Sequence, residues 1–255
     1  MASSSEQTPL PPLSPSPPFW SAFRKRSAFL IILVTGLVLF FIWLPGGARA
    51  SLWSSLSTQR GLVVLLSMFA LVTLSLIWSV GQRLDTRVFV LFNKQFYPLW
   101  LDRCMWLATQ LGNMLAAFIA AFILLILNYR RLAVEIIFGT LTLWLLVEII
   151  KALSDRDRPF LNIDKTRIIG WREKGDSFPS GHTAQIFFLT TLFIHCFQLG
   201  IAESFALYGV ASLVGFTRIY VGAHYPRDVI GGVVLGSVWG ILGMLVDRYW
   251  LGLHF

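Results

Sequence analysis

Apolar stretches of bilayer length recur along this chain, near 28–44, 61–80, 104–127, 132–152, 183–200, 203–221 and 229–246. A helix needs about 20 apolar residues to cross a membrane, and its backbone groups must be bonded internally there. Seven such segments in 255 residues leave too little chain for a separate soluble domain. Only 13% of the residues are charged, against about 25% in an ordinary soluble domain. A cytosolic globule is excluded, and so is disorder over most of the length. The net charge of +8 is spread over loops, without the basic face that nucleic-acid binding needs. Cys104 and Cys196 fall at or in apolar segments and suggest no disulfide framework. The expected fold is all-α, a polytopic membrane helical bundle.

Three regions follow. Residues 1–27 are a disordered Pro/Ser-rich tail ending in the basic cluster Arg24, Lys25 and Arg26. Residues 28–60 hold an N-terminal anchor helix and a loop. Ala48-Arg49-Ala50 resembles a signal-peptidase site, but the apolar run before it exceeds a signal core, so the anchor is read as uncleaved. Residues 61–255 carry the other six spans. Between the first two of these, the stretch from Arg83 to Asp102 mixes Val88, Phe89, Leu91 and Phe92 with Arg87, Asn93 and Lys94. It is expected to be an amphipathic helix lying in the interface. Gly232, Gly236 and Gly240 share one helix face and predict close approach of a neighbouring backbone.

Charge is costly near a bilayer, so its placement is informative. Three polar groups stand at predicted helix ends: Lys151 with Arg158-Pro159, then Pro179-Ser180-Gly181-His182, then Arg218, His224 and Asp228. Span parity puts all three on one membrane face. Lys151, Arg158 and Arg218 can surround a multiply charged oxyanion, the arginines offering forked donors to phosphate oxygens. Ser180 and Gly181 would open a helix whose free N–H groups and dipole favour anions. Two histidines beside a phosphate suggest a division of labour. His224 is read as the nucleophile, His182 as the general acid, and Asp228, in the first turn after Pro226, as the group that orients His224. Neither a metal nor another cofactor is required, because the cations already supply the countercharge and no ligand cluster has metal spacing.

These residues resemble the signature of the type 2 phosphatidic acid phosphatase superfamily, KxxxxxxRP, PSGH and SRxxxxxHxxxD. Lys151 through Arg158-Pro159 and Pro179 to His182 match intact, while Thr217 stands where the family has serine. The resemblance covers roughly residues 61–246 and implies a six-helix phosphatase core. It further implies phosphate binding by Lys151, Arg158 and Arg218 with Ser180 and Gly181 assisting, a phosphohistidine on His224, orientation by Asp228, and leaving-group protonation by His182. Vanadate is then expected to mimic the transition state.

The expected activity is metal-independent hydrolysis of a lipid phosphate or diphosphate: phosphatidate, phosphatidylglycerophosphate or undecaprenyl diphosphate. Phosphoryl transfer to a lipid acceptor shares the first half-reaction, and a dead scaffold or carrier is disfavoured because both histidines are present. Partners are the lipid substrate and membrane lipids. The chain is expected in a bacterial inner membrane with the site facing outward, which leaves Arg130-Arg131 in the cytosol. Glu148 lies three residues before Lys151 on nearly the same helix face, where it either pairs with the ammonium as structural support or makes no contact. Asp155, Arg156 and Asp157 are read as a solvated loop, and His195 as structural. The connection from Phe160 to Phe178, with Trp171, Arg172 and Lys174, is expected to cap the pocket.

Overall fold

The computed structural model describes residues 60–75 and 79–250, together with Thr35. The expected tail and anchor helix otherwise lie outside these residues, as does His254. Among the described residues the fold is entirely helical: α1 (Arg60–Ser75), α2 (Ser79–Asn93), α3 (Leu99–Gln110), α4 (Met114–Ile126), α5 (Arg130–Ser154), α6 (Pro159–Asn162), α7 (Gly181–Cys196), α8 (Ile201–Tyr220) and α9 (Pro226–Trp250). Helices occupy each of the six expected core positions. Two helical stretches, Arg130–Asn162 and Pro226–Met244, are long and apolar enough to cross a bilayer, and α3 with α4 add a third if taken as one span. The chain is an integral membrane protein.

The expected unbroken span over 104–127 is instead two helices meeting at 59°. The cause is local. Asn113 caps α4 by accepting from the Ala116 N–H at 3.0 Å, which favours a new helix start over continuation. Gly112 sits in the corner, where a Cβ would lie 2.6 Å from the carbonyl oxygen of His182. Only glycine lets this bend press against the start of α7.

Helix α7 is the central post. Thr183, Gln185, Thr190 and Thr191 are buried along with its apolar residues: Gln185 donates to Thr140 of α5 at 2.9 Å, and Thr191 pairs with Tyr208 of α8 at 3.2 Å. A helix walled by protein can cross with such residues when they find partners. Ala184, Phe188, Leu189 and Leu192 of α7 pack with Ala117 and Ala121 of α4, Ile136 and Leu143 of α5, and Leu235 of α9. The glycine stripe of α9 faces α7. A Cβ at Gly232 would lie 2.6 Å from the Ser180 carbonyl, and one at Gly236 would run into the carbonyl of Ala184. Outward faces keep Leu115, Phe122, Phe138 and Phe205 exposed, as lipid contact requires.

The expected interfacial helix over 83–102 is shorter than predicted. It ends at Asn93, because Pro98 lacks an amide proton and begins a new helix at Leu99, so residues 99–102 belong to α3. Asp85, Phe89 and Asn93 recur every fourth residue on its buried face, while Leu84, Val88 and Leu91 stay exposed. Phe89 packs its ring 5.8 Å from that of Tyr225. Asn93, fully buried, donates to the carbonyls of Arg167 and Tyr220 at 2.8 and 3.0 Å and accepts from the Arg167 N–H at 2.9 Å. This asparagine sews α2 to the loop before α7 and to the end of α8.

Candidate active site

Five chain segments deliver polar side chains to one end of the bundle. Arg158 stands just before α6, Glu173 on the loop between α6 and α7, His182 in the first turn of α7, Arg218 in the last turn of α8, and His224 between α8 and α9. Pro159 at the start of α6 ends the chain's run from α5 and sets Arg158 in extended backbone, side chain inward.

At the centre lies a carboxylate. Glu173 accepts from Arg158 Nη1 at 2.8 Å through one oxygen and from Arg218 Nη2 through the other. His182 Nδ1 is 3.8 Å from the second oxygen, and His224 Nε2 is 3.7 Å from the first. Both arginines are almost fully enclosed, whereas the Glu173 side chain keeps 28% exposure. Burial pushes the Glu173 carboxyl up, but His224, Arg218 and His182 more than offset this and hold it well below the usual carboxylate range. It is a carboxylate seated between two guanidiniums and two histidine rings.

The remaining donors of Arg158 grip the same loop. Nε bonds the Gly175 carbonyl at 2.9 Å and Nη2 that of Lys174 at 3.2 Å, with Nη1 also 3.2 Å from the Ala223 carbonyl. Arg218 Nη1 donates to Thr109 of α3 at 2.7 Å, and its Nε, buried, has no acceptor.

His224 is held by backbone. Its Nδ1 lies 2.8 Å from the Ser177 carbonyl oxygen. A carbonyl can only accept, so Nδ1 carries a proton, and Nε2 is the ring nitrogen turned toward the Glu173 position. Asp228 Oδ2 is 3.8 Å from Nδ1. That oxygen accepts instead from Ser177 Oγ at 2.5 Å and from the Tyr225 N–H at 2.8 Å. The second bond closes the start of α9 as a capping contact. Asp228 therefore acts on the residues flanking His224.

Arg156 departs from the sequence reading. Instead of standing in solvent, its guanidinium bridges Asp228 and Asp85, reaching Asp85 Oδ2 at 2.5 Å, and lies 4.6 Å from the Tyr225 ring centre. Asp85 also accepts from Arg227 Nε at 2.6 Å and from its backbone N–H at 3.1 Å. Two buried carboxylates and two guanidiniums thus tie α2 to the first turn of α9. Asp155 and Asp157 are exposed, as expected of that loop.

Lys151 shares a cavity of about 210 Å³ with Glu173, Gly181 and His182, but its ammonium is bound to Glu148 at 2.7 Å. The same cavity is walled by Leu143, Trp144 and Val147 of α5 and by Met114 of α4. Ser180, fully buried, donates its N–H to the Asp228 carbonyl at 3.0 Å and accepts from Thr183 Oγ1 at 2.9 Å. A Cβ at Gly181 would meet only Val147, at 3.6 Å, so its bare face is turned to the cavity and not jammed against the backbone. Thr217 spends its hydroxyl on the Val214 carbonyl at 2.6 Å. His195 is exposed at the opposite end of α7.

The family model for the PAP2 superfamily matches residues 132–251, from the first turn of α5 to the end of α9. Residues 132–251 are a PAP2 superfamily domain. Among relatives, an undecaprenyl-diphosphatase of Sulfolobus acidocaldarius is 29% identical over 51% of this chain and 62% of its own length. A lipid A 1-phosphatase of Rhizobium johnstonii is 37% identical over 28% of each chain. The chain thus spans less than two thirds of these relatives' length. In structure, the PAP2 type phosphatidylglycerolphosphate phosphatase of Bacillus subtilis superposes with a TM-score of 0.59 at 23% identity, covering 74% of this chain and 96% of that one. That likeness is one of fold.

The PAP2 domain contains every charged or imidazole group around the anion, while Thr109 and Asp85 reach it from outside the matched range. Sequence reasoning missed Glu173 and Ser177 and gave Arg156 and Asp85 no part in the site. Glu173 stood between the noticed Arg172 and Lys174, in a loop that also holds Asp164 and Asp176, and no spacing set it apart from them. Asp85 had a signal in its four-residue spacing from Phe89 and Asn93. Ser177 acts through its carbonyl, which no residue type announces.

Proposed function

We propose that this protein is a lipid phosphatase that removes a terminal phosphate from a lipid phosphomonoester or diphosphate through a phosphohistidine. The observation that carries this reading is the anion seat itself, two enclosed guanidiniums with a histidine ring on each side. In this reading phosphate oxygens take the position that the Glu173 carboxylate holds between Arg158 and Arg218. Its two arginine partners offer forked donors that match a tetrahedral phosphoryl group. Lys151 adds charge at the cavity, and Ser180 and Gly181 present the start of α7 to it.

In this reading His224 Nε2 attacks phosphorus, forming an N–P bond as the P–O bond to the lipid breaks. His182 gives its proton to the departing oxygen. Water then attacks the phosphohistidine, returning a proton to His182 and releasing inorganic phosphate. Asp228 acts as a positioning group, through Ser177 and Tyr225. The apolar lining of the cavity by Leu143, Trp144, Val147 and Met114 supports an amphiphilic substrate, and phosphatidate, phosphatidylglycerophosphate and undecaprenyl diphosphate fit that description. Arg130 and Lys151 stand at opposite ends of α5, about 30 Å apart at 1.5 Å per residue. With Arg130-Arg131 in the cytosol the site faces outward, across a plasma membrane.

The test is phosphate release by the purified full-length protein across a panel of these lipids, with trapping of labelled phosphate on the enzyme. The His224→Ala variant is expected to lose about 10³-fold or more in kcat and all trapped label. Hydrolysis surviving that substitution would refute the assignment.

A further inference from the structure

The seat that the proposed reaction gives to phosphate is filled by a residue of the chain itself. We infer that Glu173 is a resident gate, a carboxylate that occupies the phosphate seat until an incoming anion displaces it. This rests on the phosphatase reading for the identity of the substrate, but the contacts that define the gate are independent of any reaction.

Three observations support it. Both Glu173 oxygens bind the two enclosed arginines, and both histidine rings lie within 3.8 Å, so no phosphate can reach His224 Nε2 while the carboxylate stays. Arg158 holds the loop by backbone carbonyls at Gly175 and Lys174, so the loop remains clamped when the Glu173 side chain leaves. The side chain is 28% exposed, and a Cβ at Gly175, two residues on, would meet nothing within 4 Å, so the flank of the loop is open and rotation about the side chain's own bonds can turn the carboxylate toward solvent. Opening is a side-chain rotation and needs no lifted lid.

Displacement favours ligands with more to offer than a carboxylate. A phosphomonoester dianion brings a second charge and a third free oxygen to the same donors, and the Arg218 Nε that lacks an acceptor has one to gain. A phosphodiester headgroup, with one charge and two free oxygens, merely replaces what was there. Because the closed state must open before any anion binds, the gate weakens all of them by one common factor. Weak ligands such as the surrounding diester phospholipids then fall below occupancy, and the seat is kept for terminal phosphates.

Binding of inorganic phosphate and of dimethyl phosphate to the detergent-solubilised full chain tests this by calorimetry, apart from any hydrolysis. Glu173→Gln keeps the side chain's shape and removes its charge. It is expected to tighten both ligands by the same factor, about tenfold or more. Unchanged or weaker phosphate affinity overturns the gate, since a carboxylate that helped bind substrate would give that result. Tightening of phosphate alone overturns it too. Glu173→Asp, which retains charge but shortens the reach to both arginines, is expected to tighten both ligands less, and no change there counts against the proposal. If lipid hydrolysis fails while these affinities shift, the gate stands and the phosphatase reading falls.

Discussion

The carbonyl oxygen of Ser177 lies 2.8 Å from His224 Nδ1, and this bond leaves Nε2 as the ring nitrogen turned to the Glu173 seat. In a triad whose carboxylate sets the tautomer, neutralising that carboxylate costs about 10⁴-fold in kcat. Here the backbone sets it and Asp228 stands 3.8 Å off. Asp228→Asn is therefore expected to lower kcat by only about 10²-fold, with little change in KM, in steady-state phosphate release. A 10⁴-fold loss would mean that the carboxylate fixes the ring.

Arg156 holds Asp85 and Asp228 together, and both carboxylates are buried. Removing the shared cation leaves the Asp228 carboxylate without its guanidinium and Asp85 with Arg227 alone. Arg156→Ala is expected to cost about 3 kcal/mol, seen as a lower melting temperature in detergent. Arg156→Lys is expected to recover little of that loss, because one ammonium cannot bridge both partners.

Asn93 satisfies two carbonyls and an N–H that nothing else reaches. Asn93→Ala strands all three and is expected to destabilise by about 2–3 kcal/mol. Asn93→Asp is expected to be worse, as it sets a charge against the carbonyls of Arg167 and Tyr220. Thermal unfolding of the three proteins ranks them.

Two glycines serve as a matched pair. A Cβ at Gly236 collides with the backbone of α7, whereas one at Gly209 in α8 meets nothing within 4 Å. Gly236→Ala is expected to lower the melting temperature and, by shifting α7, activity as well. Gly209→Ala is expected to raise stability by about 0.5–1 kcal/mol through the better helix former.

The Glu173 carboxyl is held well below the usual range while it is bound between Arg158 and Arg218. A depressed value means that this stabilisation is complete above the ordinary carboxylate pKa, about 4.3, and fades progressively as pH falls below it toward the depressed bound value. The displaced side chain takes a proton that the bound one refuses. Sulfate does not titrate there. Its affinity for the native chain, relative to Glu173→Gln, is expected to be constant from pH 8 to about 5.5 and to tighten at lower pH.

Much of the fold was readable because a bilayer imposes its length on apolar segments. Helices stand at each expected core position, and the glycine stripe of α9 meets a backbone as its spacing implies. Where the chain broke those rules, short-range chemistry was responsible. Asn113 caps a helix inside an apolar run, and Pro98 divides a segment that looked continuous. Of the motif residues, Arg158, His182, Arg218 and His224 meet around one anion, but what fills and braces that seat came from elsewhere. Glu173 belongs to a loop with no periodicity, and Ser177 contributes through its main chain. Arg156 looked like part of a hydrated acidic turn because its partners lie 71 and 72 residues away in sequence.

Glu173 is tethered to the site it fills, so it competes as an intramolecular ligand at an effective concentration on the order of millimolar or above. Free carboxylates such as acetate or citrate face that local excess with the same functional group and no added reach. Inhibitor chemistry built on carboxylate mimics of phosphate starts from parity with an opponent that never diffuses away. Phosphonates and vanadate, with more oxygens to share, do not.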